Sequence, residues 1–212
     1  EFYSMLAYHY SAAMQWDHAQ EYLFKAGDQA GRLAADAEAL ALYRQAMEAY
    51  ARVRGEDWQP LERAQLDRKI GEAFYRLGNF SQARIYLTRS LALLGEVFPD
   101  SKWGTRLAIF QALLIQFFHR LFPSYFVRPL SDFSNPEAEE LTKAAFALGW
   151  IEGVSDVERL FLISIRMLNA NERRGFAYGS TYLASTLSTA FDLMGWYSLV
   201  NRYARLATEY SR

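Results

Sequence analysis

Between residues 70 and 95 the chain reads IGEAFYRLGNFSQARIYLTRSLALLG, and its apolar positions fall at two successive helical spacings. Ile70, Phe74 and Leu77 recur at four and three residues, and Ala83, Leu87, Ser90 and Leu94 follow at four, three and four, so each set shares one face of its own helix. The periodicity breaks at Gly78-Asn79. Glycine directly after a periodic run stops a helix because it enters the left-handed region without a Cβ penalty. The pattern therefore predicts two antiparallel helices joined by a tight turn. Gly71 and Ala83 are small so that the helices can close on one another, while Phe74, Phe80 and Leu87 fill the space beside the contact.

The same order returns near the C-terminus. Leu187, Ser188, Phe191, Gly195, Tyr197, Val200, Ala204 and Ala207 repeat Ile70, Gly71, Phe74, Gly78, Phe80, Ala83, Leu87 and Ser90 at a constant offset. Near the N-terminus Leu6, Ala7, Tyr10, Met14, Trp16, Ala19, Leu23 and Ala26 keep this register, with Met14 in place of the turn glycine. A further helix over about 36–53 stacks on the one before it. Leu107, Phe110, Leu114, Phe117 and Leu121 run at three-four-three-four, and Ile109, Ile115 and Phe118 widen the stripe, which predicts a buried strut covered on more than one side. FPSYFVRPLSDFSNP follows and holds Pro123, Pro129 and Pro136, three of the five prolines, so it reads as an extended crossing. Helices resume over about 136–149 and 156–171, the second capped by Ser155 or Asp156.

This order of small, large, turn-glycine, aromatic and alanine positions resembles the tetratricopeptide (TPR) repeat, except that Asp67 stands where that motif begins with Trp. The expected fold is all-α: a right-handed α-solenoid of antiparallel helix pairs, about nine helices and no sheet. Its blocks are expected at 1–122 and 136–212, with 123–135 as the crossing. At greater length, LAYHYSAAMQWDHAQEYLFKAGDQAGRLAADAEALALYRQAMEAY and NPEAEELTKAAFALGWIEGVSDVERLFLISIRMLN resemble the C-terminal helical region of bacterial signalling proteins. In those proteins a nucleotide cyclase or kinase domain precedes a STAND-type ATPase. The resemblance implies that catalysis and ATP binding belong to upstream domains, and that this segment binds a peptide, a neighbouring domain or a partner protein on a concave face. The alternative is a small-molecule effector-sensing helical domain of an ATPase-type regulator.

Composition narrows the chemistry. With 23 Lys and Arg against 24 Asp and Glu, the net charge of −1 offers no basic footprint for nucleic acid. The absence of cysteine removes disulfides, thiolate nucleophiles and sulfur-ligated zinc, and suits a cytoplasmic setting. No apolar run reaches the ~20 residues of a helical membrane span. No phosphate loop, dinucleotide fingerprint, HExxH or GxSxG stands in the chain, so no catalytic, cofactor or metal residue is expected and the segment is read as non-enzymatic.

His18 and Glu21 lie one turn apart but lack the second pair that a metal site needs; His9 and His119, set among aromatics, are read as packing or capping groups. Glu137, Glu139 and Glu140 fit a helix N-terminus, and Asn79 fits the turn rather than a glycosylation site. Arg173 and Arg174, beside Glu172, read as a small charged loop and, with Phe126 and Trp150, are the candidate partner or ligand contacts. Tyr43, Phe74, Phe80, Phe191 and Tyr197 are expected in the core. Leu199, Tyr203, Leu206 and Tyr210 form a stripe on the last helix, which is expected to be covered by further chain or by a second copy in a homodimer.

Overall fold

The computed structural model describes residues 2–55, 57–129, 135–193 and 195–211. Eleven helices and no strand occur among the described residues, against the roughly nine helices the pattern suggested. Two compact units form, Glu1–Glu96 and Val97–Arg212.

The first unit contains α1 (Phe2–Ala12), α2 (Trp16–Arg32), α3 (Asp36–Arg54), α4 (Pro60–Arg76) and α5 (Phe80–Leu93), each packed on its sequence neighbour. The α4–α5 pair closes where the side chains are smallest. A Cβ added at Gly71 would lie 2.8 Å from Leu87 Cγ and 3.3 Å from the Ala83 carbonyl oxygen, so only glycine permits this approach. Asn79 caps α5, its side chain accepting from Gln82 N at 3.2 Å. Gly78 turns at φ 76°, and Met14, in the same register, turns at φ 55° despite its side chain. Ala34 makes the α2–α3 turn at φ 57°.

Asp67 is fully buried on α4 and receives Arg89 Nε at 2.6 Å and Arg63 Nε at 3.4 Å. A paired carboxylate thus occupies the position where the resembled repeat carries an indole. Burial of an unpaired charge there would be prohibitive, which is why two guanidinium groups converge on it.

The second unit contains α6 (Lys102–Leu121), α7 (Pro123–Phe126), α8 (Pro136–Ser155), α9 (Val157–Arg174), α10 (Ala177–Leu193) and α11 (Tyr197–Tyr210). The division between units precedes α6, whereas the pattern grouped α6 with the N-terminal block. Within the crossing, Pro123–Phe126 folds as one helical turn rather than extended chain, and residues 130–134 lie outside the described residues. Helix α9 is the centre: α6, α8 and α10 all pack on it, and almost every residue from Phe161 to Glu172 is buried. Because α6 packs on α9 rather than on a long sequence neighbour, this unit departs from the nearest-neighbour right-handed stack expected for the chain. Asp156 caps α9, accepting from Arg159 N at 3.1 Å, and Gly175 ends it in the left-handed region at φ 72°.

The α10–α11 pair closes as α4–α5 does. Ser188 holds the place of Gly71, and its hydroxyl donates to the Val200 carbonyl at 3.0 Å, Val200 holding the place of Ala83.

Several burial expectations need correction. Phe80 and Tyr197 are 52% and 67% exposed: each is the first residue of its helix, at the rim where the facing helix has already ended. Tyr43, Phe74 and Phe191 are buried. Ala204 is exposed because α11 turns Tyr203, Leu206 and Ala207 inward, with the Tyr203 ring 5.2 Å from that of Phe191. The α11 stripe is thus largely covered within its own unit. The reverse holds for α6, which is no buried strut. Its buried residues are Thr105, Ala112, Gln116 and His119, and its broad apolar face is exposed.

Candidate functional site

A groove of about 310 Å³ lies between α8 and α10, with α9 as its floor. Helix α8 contributes Phe146, Gly149, Trp150 and Gly153, which recur at three- and four-residue spacing and so share one face. The two glycines leave that wall open. A Cβ at Gly149 would sit 3.4 Å from Leu160 Cδ1, and one at Gly153 would sit 3.6 Å from Leu160 Cδ2. From α10 come Tyr182, Leu183 and Thr186. Phe146 meets Trp150 edge to face at 5.8 Å and Tyr182 at 5.1 Å, so three rings frame the opening in the tilted geometry aromatic pairs prefer.

No Asp, Glu, Lys or Arg lines this groove. Its two aliphatic hydroxyls are already engaged: Ser164 Oγ donates to the Leu160 carbonyl at 2.9 Å, and Thr186 Oγ1 to that of Tyr182 at 3.1 Å. Burial raises the ionisation of the Tyr182 phenol above its ordinary value, so that ring stays neutral at physiological pH. Such a site rewards an uncharged apolar group and penalises an ionic one, which would lose hydration without gaining a partner.

A second constellation is buried and polar. Glu172 on α9 accepts from Gln116 Nε2 at 2.7 Å and from His119 Nδ1 at 2.6 Å, and it also binds Arg120 and the Tyr210 hydroxyl. Gln116 further donates to Asn169 Oδ1 at 2.7 Å, and Asn169 Nδ2 to the Ala112 carbonyl at 3.0 Å. Desolvation first, and then the Arg120 and Arg173 charges, lower the His119 pKa to about 4. The imidazole is therefore neutral at pH 7 and donates its Nδ1–H to the carboxylate, while Arg120 supplies the balancing charge. With its acceptor capacity filled, Glu172 is a structural hub.

Trp150 stands on the groove wall. Phe126 does not: it lies on α7, stacked at 6.1 Å over His119, where it shields the polar hub. Arg173 and Arg174 belong to the last turn of α9 rather than to a loop, Arg174 Nη1 reaching the Ala170 carbonyl at 3.4 Å. The four candidate contacts therefore do not converge on one site. Gly149 and Gly153 are the groove residues that sequence reasoning did not single out. The available signal was two glycines one turn apart inside an apolar helix, where each costs ~1 kcal/mol relative to alanine and so calls for a packing or binding reason.

Among the described residues no group of three His, Asp or Glu could hold a metal ion, and no helix is long and apolar enough to cross a membrane. No family model matches the chain, and a search of curated proteins finds no match.

Proposed function

We propose that this chain is a TPR-like, non-catalytic interaction segment of a larger cytoplasmic signalling protein, and that its second unit grips an apolar segment of a partner protein, a peptide or another domain of the same polypeptide. The observation that carries this reading is the uncharged, aromatic-framed groove between α8 and α10. These are the first helices of the successive pairs α8–α9 and α10–α11, the position from which a repeat array receives an extended or helical ligand. The repeated closure at Gly71 and Ser188 supports the repeat character of the fold. Binding would come from shape and desolvation, with an aromatic or branched aliphatic side chain as anchor.

Peptides selected from a random display library on the immobilised chain test this. The expected winners carry a large apolar anchor without adjacent charge and lose at least ~10-fold in affinity on Gly149→Glu, which places a carboxylate in the groove. Winners that are predominantly charged, or that bind the variant equally, overturn the reading. A second reading, an effector-sensing domain, draws on the groove volume, which falls at the lower edge of the ~300–1,000 Å³ range of small-molecule sites. Thermal stabilisation by a neutral aromatic compound, abolished by Gly149→Glu, would select it over the peptide.

A further inference from the structure

Helix α6 is built inside out. Its buried side carries Gln116 and His119, held by the α9 hub, while its opposite side presents Leu107, Phe110, Leu114, Phe117 and Leu121 at 59, 64, 46, 59 and 53% exposure. These five follow a three-four-three-four order, the spacing of a seam that receives an identical seam from a second helix. With the flanking Trp103, Phe118 and Phe122, the exposed area of these residues is on the order of the ~800 Å² each partner gives a standard interface.

The charges flanking the seam fit a second copy. From Leu107 to Phe118 there is no ionisable residue. Arg106 is neutralised by Glu158, Nη2 to Oε1 at 3.0 Å, and Arg120 by Glu172, so two such faces meet without bringing free like charges together. Lys102 carries a further charge at the N-terminal end. In an antiparallel pair the two copies of Lys102 stand at opposite ends of a helix ~30 Å long, whereas in a parallel pair they would lie side by side.

We infer that the exposed face of α6 is a homodimer interface in which two copies pair antiparallel, with Leu114 at the two-fold axis. The inference is independent of the α8–α10 groove, which lies on other helices. It differs from the dimer the sequence suggested, whose α11 stripe is largely spent on its own unit.

Sedimentation equilibrium of the full chain is expected to give a dimer. Phe110→Glu combined with Phe117→Glu should weaken it at least ~100-fold, with unchanged helical circular dichroism because both side chains point away from α9. The chain has no cysteine, which allows a second readout. Under mild oxidation Leu114→Cys should give a covalent dimer, since residues at the axis come within disulfide reach, and Trp103→Cys should not. A monomer at all concentrations overturns the inference, as does a dimer that tolerates both glutamates, or efficient self-crosslinking of Trp103→Cys. So does a monomer that floats with phosphatidylcholine–phosphatidylglycerol vesicles and is released by the same glutamates, which would assign the face to lipid.

Discussion

At the residue scale, the Asp67 carboxylate on α4 is held by Arg89 and Arg63, and its partners differ in what their loss would do. The Arg89 side chain is partly exposed and can return to water, but Asp67 cannot. Arg89→Leu should therefore destabilise the chain by ~2–4 kcal/mol in urea denaturation, and adding Asp67→Leu should recover much of that loss, because the orphaned buried charge disappears. Ala34 poses a simpler case. Its φ of 57° is one that glycine adopts freely and alanine does not, so Ala34→Gly should stabilise by ~0.5–1 kcal/mol, read as a higher denaturation midpoint at constant slope. Glu172 shows where single residues mislead. In the sequence it sits in NERR and looks like part of a solvated charge cluster. Its partners Gln116 and His119 lie 56 and 53 residues away, and no local pattern announces such a pairing.

At the scale of elements, the α4–α5 pair was readable because each of its constraints is local: a turn glycine, small residues where helices cross, and large ones beside them. Gly71→Ala should cost ~1–3 kcal/mol, since the added methyl meets Leu87 Cγ and the Ala83 backbone together and the backbone cannot yield. Helix α6 was misread for an equally physical reason. An apolar stripe says that a face must be covered but does not say by what, and here the inward face was taken by polar groups whose partners arrive later in the chain. Helix α8 trades stability for an opening. Gly153→Ala places its methyl in ordinary contact with Leu160, so it should stabilise the chain by ~0.5–1 kcal/mol in thermal or urea unfolding while narrowing the groove for any ligand.

For the whole molecule, the two units should respond differently to acid. His119 has a pKa of about 4 when folded, below the ~6.5 of an unfolded histidine, so between these values the unfolded chain binds more protons. The stability the neutral ring contributes is complete above about pH 6.5 and declines as the pH falls towards about 4. Hydrogen exchange at pH 7 and pH 5 should accordingly show α6, α9 and α11 losing protection relative to α4 and α5. His119→Gln, which keeps a donor but does not titrate, should reduce that difference. The sequence made legible the helical character of the chain and its packing in neighbouring pairs. It did not reveal the boundary at Glu96, because what assigns α6 to the second unit is its set of bonds to Asn169 and Glu172.

The distance along the chain between His119 and its acceptor also sets a schedule for synthesis. Glu172 leaves the ribosome 53 residues after His119, which at ~5–20 residues per second is a delay of several seconds. Throughout that interval the imidazole and amide on one side of the nascent helix bond only to water, and phenyl and leucyl groups stand bare on the other. The inner side is satisfied only when α9 follows and packs on it.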